Sequence, residues 1–334
     1  MKNIWLVIPC YNEQEVINET SSQLEKIMCN LINKNKISPE SKIAFVNDGS
    51  KDDTWKLIQS LYKKNTMYVG INLSRNRGHQ NALLAGLMIA KQYCDAAISL
   101  DADLQDDVNV IEKFIDNYED GYDIVYGVRS ARKTDTFFKK NTAEMFYRVM
   151  KKLGADIVYN HADYRLMSKR ALEGLEEFAE VNLFLRGIVP LIGFKSTTVE
   201  YERHERFAGE SKYPLKKMLS FATEGITSLS VKPIRFVTNI GIGVFGISIF
   251  MLIYFVIQYF TGNTVSGWAS LAVSLWALGG IQLLGIGIIG EYIGKVYLET
   301  KHRPKYIVDN ILYKEDVSSL HIEYEKKICE ERIV

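Results

Sequence analysis

Short apolar runs alternate with longer stretches of mixed polarity through the first part of the chain. Ile4–Ile8, Ile43–Val46, Tyr68–Leu73, Ala96–Leu100 and Ile124–Tyr126 are compact and apolar, several rich in β-branched residues, and predict strands. Between them, Glu13–Asn33, Thr54–Tyr62, Gln80–Tyr93 and Val110–Tyr118 carry the repeat of helices with one apolar face. Strands alternating with helices predict βαβ units and an α/β fold with a mostly parallel sheet. In such sheets ligands bind beyond the carboxyl ends of the strands. A polar motif follows each of the first four predicted strands: Pro9-Cys10-Tyr11-Asn12-Glu13, Asn47-Asp48-Gly49-Ser50, Ser74-Arg75-Asn76-Arg77-Gly78 and Asp101-Ala102-Asp103. One shared cleft is the economical arrangement.

The pattern changes after Tyr213. Leu215, Met218, Leu219, Ala222, Ile226 and Leu229 recur at helical spacing, with Lys216, Lys217, Thr223, Glu224 and Thr227 on the other face. Such a helix either packs on a soluble core or lies in a membrane interface, and two long apolar segments directly after it favour the interface. Phe236–Phe260 and Trp268–Gly290 are each long enough to span a hydrocarbon core of about 30 Å. No Asp, Glu, Lys, Arg or His lies between Phe236 and Gly290. Lys212, Lys216, Lys217, Lys232 and Arg235 precede the pair, and Lys295, Lys301, Arg303 and Lys305 come after it. Positive flanks predict that both outer ends face the cytosol. The expected division is a soluble domain over 1–212, an interfacial helix over 213–232, a transmembrane hairpin over 233–294 and a cytosolic tail over 295–334, charged and peripheral or flexible after Lys305. Gly290 and Gly294 form a GxxxG, a candidate face for a homo-oligomer and equally a lipid-facing pair.

Composition narrows the partners. A net charge of +1 leaves no broad basic field for nucleic acid. Cys10, Cys29, Cys94 and Cys329 form no CxxC pair and read as reduced structural thiols. His79 and His161 read as hydrogen-bonding loop residues, since no Cys/His cluster suits zinc. The apolar run at the N-terminus is too short for a secretory signal, so the first domain is expected in the cytosol.

The motif residues suggest specific chemistry. Asp101 and Asp103 end an apolar run, so the turn can aim both carboxylates at one point, though a bare pair also makes a solvated loop. A carboxylate repels a nucleoside diphosphate unless a divalent cation bridges them, and Mg²⁺ and Mn²⁺ suit such oxygen ligands. Asp48 can accept from a base N–H or merely form an Asp-Gly turn. Tyr11 can stack on a base or ribose, and Glu13 can receive a ribose hydroxyl, while Asn12 is placed to cap the following helix. Arg203, Arg206 and Lys212, with Gly209 between them, suit either a phosphate or anionic lipid.

VIPCYNE (Val7–Glu13), VNDGSKDDT (Val46–Thr54), LSRNRGHQNALLAG (Leu73–Gly86), DADLQDD (Asp101–Asp107), ADYRLMSKR (Ala162–Arg170) and RHERFAGESKY (Arg203–Tyr213) recur in this order. Together with the two apolar segments, they make nearly the whole chain resemble glycosyltransferase family 2, in its polyprenyl-phosphate branch. The resemblance implies a GT-A (Rossmann-like) catalytic domain in the cytosol, anchored in the cytoplasmic membrane. It assigns Pro9, Tyr11, Asn12, Glu13, Asp48, Asp101 and Arg129 to the nucleotide-sugar. Asp101, Asp103 and Gln105 match the metal and diphosphate site, with Mg²⁺ or Mn²⁺ as cofactor. Arg203, Arg206, Ser211 and Lys212 match a phosphate-facing loop. Asp163 falls near the reacting sugar, as a base or as an orienting group, because a polyprenyl phosphate is already ionised near neutral pH. Asp107 stands where the pattern often has proline. The implied reaction is a single inverting displacement from a nucleotide-sugar to polyprenyl phosphate. UDP-glucose is the first expectation, with GDP-mannose, UDP-N-acetylglucosamine or a modified sugar as alternatives. The absence of a QxxRW motif speaks against a processive synthase. A membrane-anchored nucleotide-sugar-binding protein is the non-enzymatic alternative.

Overall fold

The computed structural model describes residues 1–130, 161–180, 183–202, 232–261 and 267–313. In chain order the first elements are β1 (Ile4–Cys10), α1 (Ile17–Asn33), β2 (Lys42–Asn47), α2 (Thr54–Lys64), β3 (Tyr68–Leu73), α3 (His79–Tyr93) and β4 (Ala96–Ser99). A short 3₁₀ turn at Val108–Val110 leads into α4 (Ile111–Glu119), followed by β5 (Ile124–Arg129), β6 (His161–Ser168), α5 (Lys169–Glu176), α6 (Leu185–Leu191) and β7 (Ser196–Tyr201). The last are α7 (Lys232–Phe260), α8 (Trp268–Thr300) and β8 (Val308–Leu312).

One sheet runs β7-β5-β6-β4-β1-β2-β3-β8. Its centre is parallel, β4-β1-β2-β3, as the strand–helix alternation predicts. The sheet as a whole is mixed: among the described residues β5 and β7 also pair in parallel, and three pairings are antiparallel. β6 inserts antiparallel between β4 and β5, and β8 closes the far edge antiparallel to β3. Every residue of β1 is buried, because helices cover both faces and the strand has no polar side to show. Ile4, Leu6, Ile8 and Phe45 pack on one face, together with Leu24 of α1 and Phe114 of α4. Trp5, Val7 and Val46 pack on the other with Leu83 of α3 and Leu172 of α5. α3 lies close on the sheet because Gly86 has no side chain: a Cβ there would come within 2.5 Å of Val7 and 2.6 Å of Val46.

The five predicted strands and four predicted helices are present with small shifts at their ends. The tail requires a correction. It does not continue as a peripheral segment after Lys305, because Val308–Leu312 completes the sheet. Val308, Ile311 and Tyr313 pack against the apolar cluster under α3, and Tyr313 meets Trp5 at 5.6 Å and Tyr93 at 4.7 Å between ring centroids. Lys305 Nζ donates to the Phe178 carbonyl at 2.8 Å.

The chain divides into two compact units, and the described segment Pro304–Tyr313 belongs to the unit that holds the N-terminus. In the other unit, α7 and α8 overrun the predicted spans, beginning at Lys232 and ending at Thr300. Gly285 is their close approach, with Val237 Cγ1 3.2 Å from where its Cβ would be. Ile242, Phe250, Leu271, Leu283 and Ile286 are exposed apolar side chains on these helices. Leu278–Thr300 is long and apolar enough to cross a membrane. The predicted interfacial helix lies outside the described residues.

Candidate active site

The carboxyl ends of β1, β2, β3 and β4 lie along one edge of the parallel core, and the loops after them are tied together. Asn12 has φ 53° and does not cap α1, whose N-cap is Val16. Instead its backbone N–H donates to Ser50 Oγ at 3.0 Å and its Oδ1 accepts from the Lys51 N–H at 2.9 Å. The Glu13 N–H donates to Thr54 Oγ1 at 2.9 Å. Pro9 is buried beside Val46, and Tyr11 and Glu13 are half-buried at the lip.

Asp48 builds the next wall. It is 2% exposed, and its carboxylate accepts from the backbone N–H groups of Arg77 at 2.7 Å and Gly78 at 2.9 Å. Burial pushes its carboxyl up, against the pull of those two N–H groups. Gly49 has φ +60°, and a Cβ there would stand 2.5 Å from the Asn76 nitrogen, so the loops after β2 and β3 touch backbone to backbone.

The acidic motif follows β4. Thr20 Oγ1 of α1 donates to the Ala102 carbonyl at 2.7 Å, which pins the middle of the turn. Leu104 has φ 55°, and the Gln105 N–H returns to Asp103 Oδ1 at 3.2 Å. Asp101 is raised from the ordinary carboxylate range by burial, against His79, and further by the negative neighbours Asp106, Asp163 and Asp103. Anions so crowded favour a cation. Among the described residues, no three His, Cys, Asp or Glu side chains form a cage for a metal. The fit is that of an ion held by one or two carboxylates plus substrate phosphate oxygens.

His79 is the first residue of α3 and bridges two acids. Its Nε2 lies 3.5 Å from Asp101 Oδ1 and 3.8 Å from Asp163 Oδ2. Asp163, on β6, comes into the same cluster because β6 pairs with β4, and Ser99 Oγ donates to the Asp163 carbonyl at 2.5 Å. Its carboxylate accepts from Arg165 Nη2 at 2.6 Å and from Arg186 Nη2 at 3.0 Å and Nε at 3.3 Å. Burial alone would raise this carboxyl, but Arg186 and Arg165, then His79, hold it well below the usual range. Arg165 is 1% exposed, so Asp163 neutralises a buried cation. Along the sequence His79 reads as a hydrogen-bonding loop residue, and Arg186 stands in none of the motifs. The only signal for His79 was its place directly after the motif that follows β3.

Arg129 ends β5. Its Nη2 lies 3.3 Å from Asp106 Oδ1, and its Nε donates to the Tyr201 hydroxyl at 3.3 Å. Tyr201 in turn donates to Asp106 at 2.6 Å. Arg129 therefore reaches the loop just beyond Gln105. Arg203, Arg206, Ser211 and Lys212 lie outside the described residues.

The acid pair, the arginine-clamped aspartate and the interlocked loops thus gather at the carboxyl edge of the parallel core, where sheets of this kind bind ligands. The chain belongs to the glycosyl transferase family 2, whose model matches residues 5–175. It is 57% identical to the uncharacterized glycosyltransferase YkoT of Bacillus subtilis (strain 168), over 97% of this chain and 96% of that protein. It is 42% identical to the bactoprenol glucosyl transferase of Shigella phage SfV, over 92% of this chain and 98% of that protein. The prophage bactoprenol glucosyl transferase homolog of Escherichia coli (strain K12) is 41% identical over 92% of this chain and 99% of that protein.

Proposed function

We propose that this protein transfers one glucosyl group from UDP-glucose to a polyprenyl phosphate at the cytosolic face of the membrane. The observation that carries this is the acid cluster after β4, with Asp101 beside His79 and the Asp163–arginine group, in a chain 42% identical over 92% of its length to a bactoprenol glucosyl transferase. GDP-mannose, UDP-N-acetylglucosamine and modified sugars are the alternative donors.

Asp101, Asp103 and Gln105 are the residues that would hold Mg²⁺ or Mn²⁺. When bound, that ion neutralises the donor diphosphate and the charge it gains on leaving. The loops after β1 and β2 receive the nucleoside, with Tyr11 and Glu13 at the lip. Asp163 does not serve as the base. Its carboxylate is occupied by Arg165 and Arg186, and its depressed pKa makes it a poor proton acceptor. It is a positioning residue that fixes the arginines beside the sugar. An ionised lipid phosphate needs no base to attack the anomeric carbon. The new bond forms from phosphate oxygen to that carbon as the bond to the nucleoside diphosphate breaks, which inverts the centre.

The membrane reading rests on α7 and α8. Because β8 pairs with β3, both flanks of these helices enter one sheet, which supports an even number of crossings. Two crossings, by α7 and α8, fit the exposed apolar side chains on both. The phosphate-facing loop with Arg203, Arg206, Ser211 and Lys212 would meet the acceptor headgroup.

Washed membranes carrying the protein, supplied with polyprenyl phosphate, Mn²⁺ and a panel of radiolabelled nucleotide-sugars, test the proposal. Label from UDP-glucose should pass into an organic-extractable product. Tight donor binding with no extractable product from any donor would favour a nucleotide-sugar-binding protein instead.

A further inference from the structure

β8 lies on β3 with Asn310 opposite Asn72 and Val308 opposite Leu73. Side chains carry that pairing on as a polar chain across the sheet. Asp309 Oδ2 accepts from Asn72 Nδ2 at 2.9 Å, and Asn72 Oδ1 accepts from Asn47 Nδ2 at 2.7 Å. Asn47 Oδ1 accepts from the Ser50 N–H at 3.3 Å, and Ser50 Oγ accepts from the Asn12 N–H at 3.0 Å. The run begins on β8, the strand that follows the apolar helices in the chain, and ends in the loop after β1.

Its polarity is fixed from both ends, because the Ser50 N–H can only donate and holds the Asn47 carbonyl toward itself. An ionised carboxylate only accepts, so Asn72 must turn its NH₂ toward Asp309 and its carbonyl toward Asn47. Asn47 must then turn its own NH₂ toward Asn72, which leaves its carbonyl for the Ser50 N–H. Asn47 is 2% exposed, so a flipped amide would set donor against donor where no water can relieve it. The same segment grips the neighbouring loop. The Ile307 carbonyl accepts from the Ser74 N–H at 3.0 Å, at the start of the loop whose far end Asp48 holds.

We infer that Asp309 is a positioning residue for the nucleotide-sugar: through Asn72 it completes the chain of hydrogen bonds that holds the amide of Asn47, and hence the turn that carries Asp48 and Gly49. This rests on the donor reading above, in which the nucleoside meets the turns after β1 and β2. The chain segment that follows the apolar helices is then part of the donor-binding apparatus, acting through Asn72 and Asn47.

The test is steady-state kinetics on the full-length protein, with donor and lipid phosphate varied separately. Asp309→Ala should raise the donor KM about three- to tenfold, the worth of one lost hydrogen bond, with kcat and the lipid phosphate KM unchanged. Asp309→Asn keeps an acceptor oxygen and should recover most of the loss. Asn72→Ala cuts the same chain in the middle, so the double variant should be no worse than either single one. Asn310→Ala, next along the strand, should leave the donor KM alone. An unchanged donor KM in Asp309→Ala, an equal rise in Asn310→Ala or additive losses in the double variant would overturn the inference. A wild-type protein that transfers no sugar would sink the donor reading itself, whereas normal wild-type transfer with a normal Asp309→Ala removes only the role of Asp309.

Discussion

Asp163 shows how one residue's neighbours bear on the role its motif suggests. A carboxylate near a reacting sugar invites the role of base, yet here it holds two arginines, one of them buried. Asp163→Ala leaves Arg165 buried without its counter-ion and should destabilise the fold by about 3–5 kcal/mol, read by urea denaturation. Because its folded pKa is depressed, its contribution is fully present above the unfolded carboxylate value of about 3.9 and is lost as pH falls through the lower folded value. Across the neutral range its charge is constant. Asp163→Asn should therefore lower kcat while leaving the shape of the pH–rate profile unmoved, and loss of a pH limb in that variant would restore the base. Gly49 is a second single-residue dependence. At φ +60°, against the backbone of Arg75 and Asn76, Gly49→Ala should cost about 2 kcal/mol or more and weaken donor binding, measured by melting temperature and by calorimetry with UDP.

At the scale of elements, β8 is the piece whose removal should be felt furthest. Tyr313 closes an aromatic group with Trp5 and Tyr93. Tyr313→Ala should cost about 1–3 kcal/mol from its two ring contacts, seen as a lower melting temperature with the transfer reaction retained. A normal melting temperature would mean that the strand is held by its backbone pairing alone. The first five strands were legible because their apolar runs are short, distinct and bounded by turn motifs. β6 was hidden because its apolar positions share the strand with Asp163 and Arg165, whose burial depends on each other rather than on hydrophobicity. β8 was hidden because five residues, with Asp309 and Asn310 exposed among them, carry too little periodicity to outweigh a charged neighbourhood. The same limit applies to the site. Asp101, Asp103 and Asp48 stand in motifs directly after strands and could be read along the chain. The meeting of His79, Asp163 and Arg186 depends on β6 lying antiparallel beside β4, a pairing that local pattern does not encode.

For the whole molecule, the decisive feature is that the chain leaves the sheet and comes back to it. Residues on either side of α7 and α8 share one sheet, so reporters placed at the N-terminus and after Tyr313 should label from the same side of a sealed vesicle. Labelling from opposite sides would require an odd number of crossings and would break the pairing of β3 with β8. Everything then turns on whether Asp101 and Asp103 hold the donor through a cation. Calorimetry of UDP binding to the full-length protein, with Mn²⁺ and with a chelator, asks this most directly. Binding should require Mn²⁺ and be lost in Asp103→Ala, and equal UDP affinity with and without the metal would contradict a cation-bridged donor.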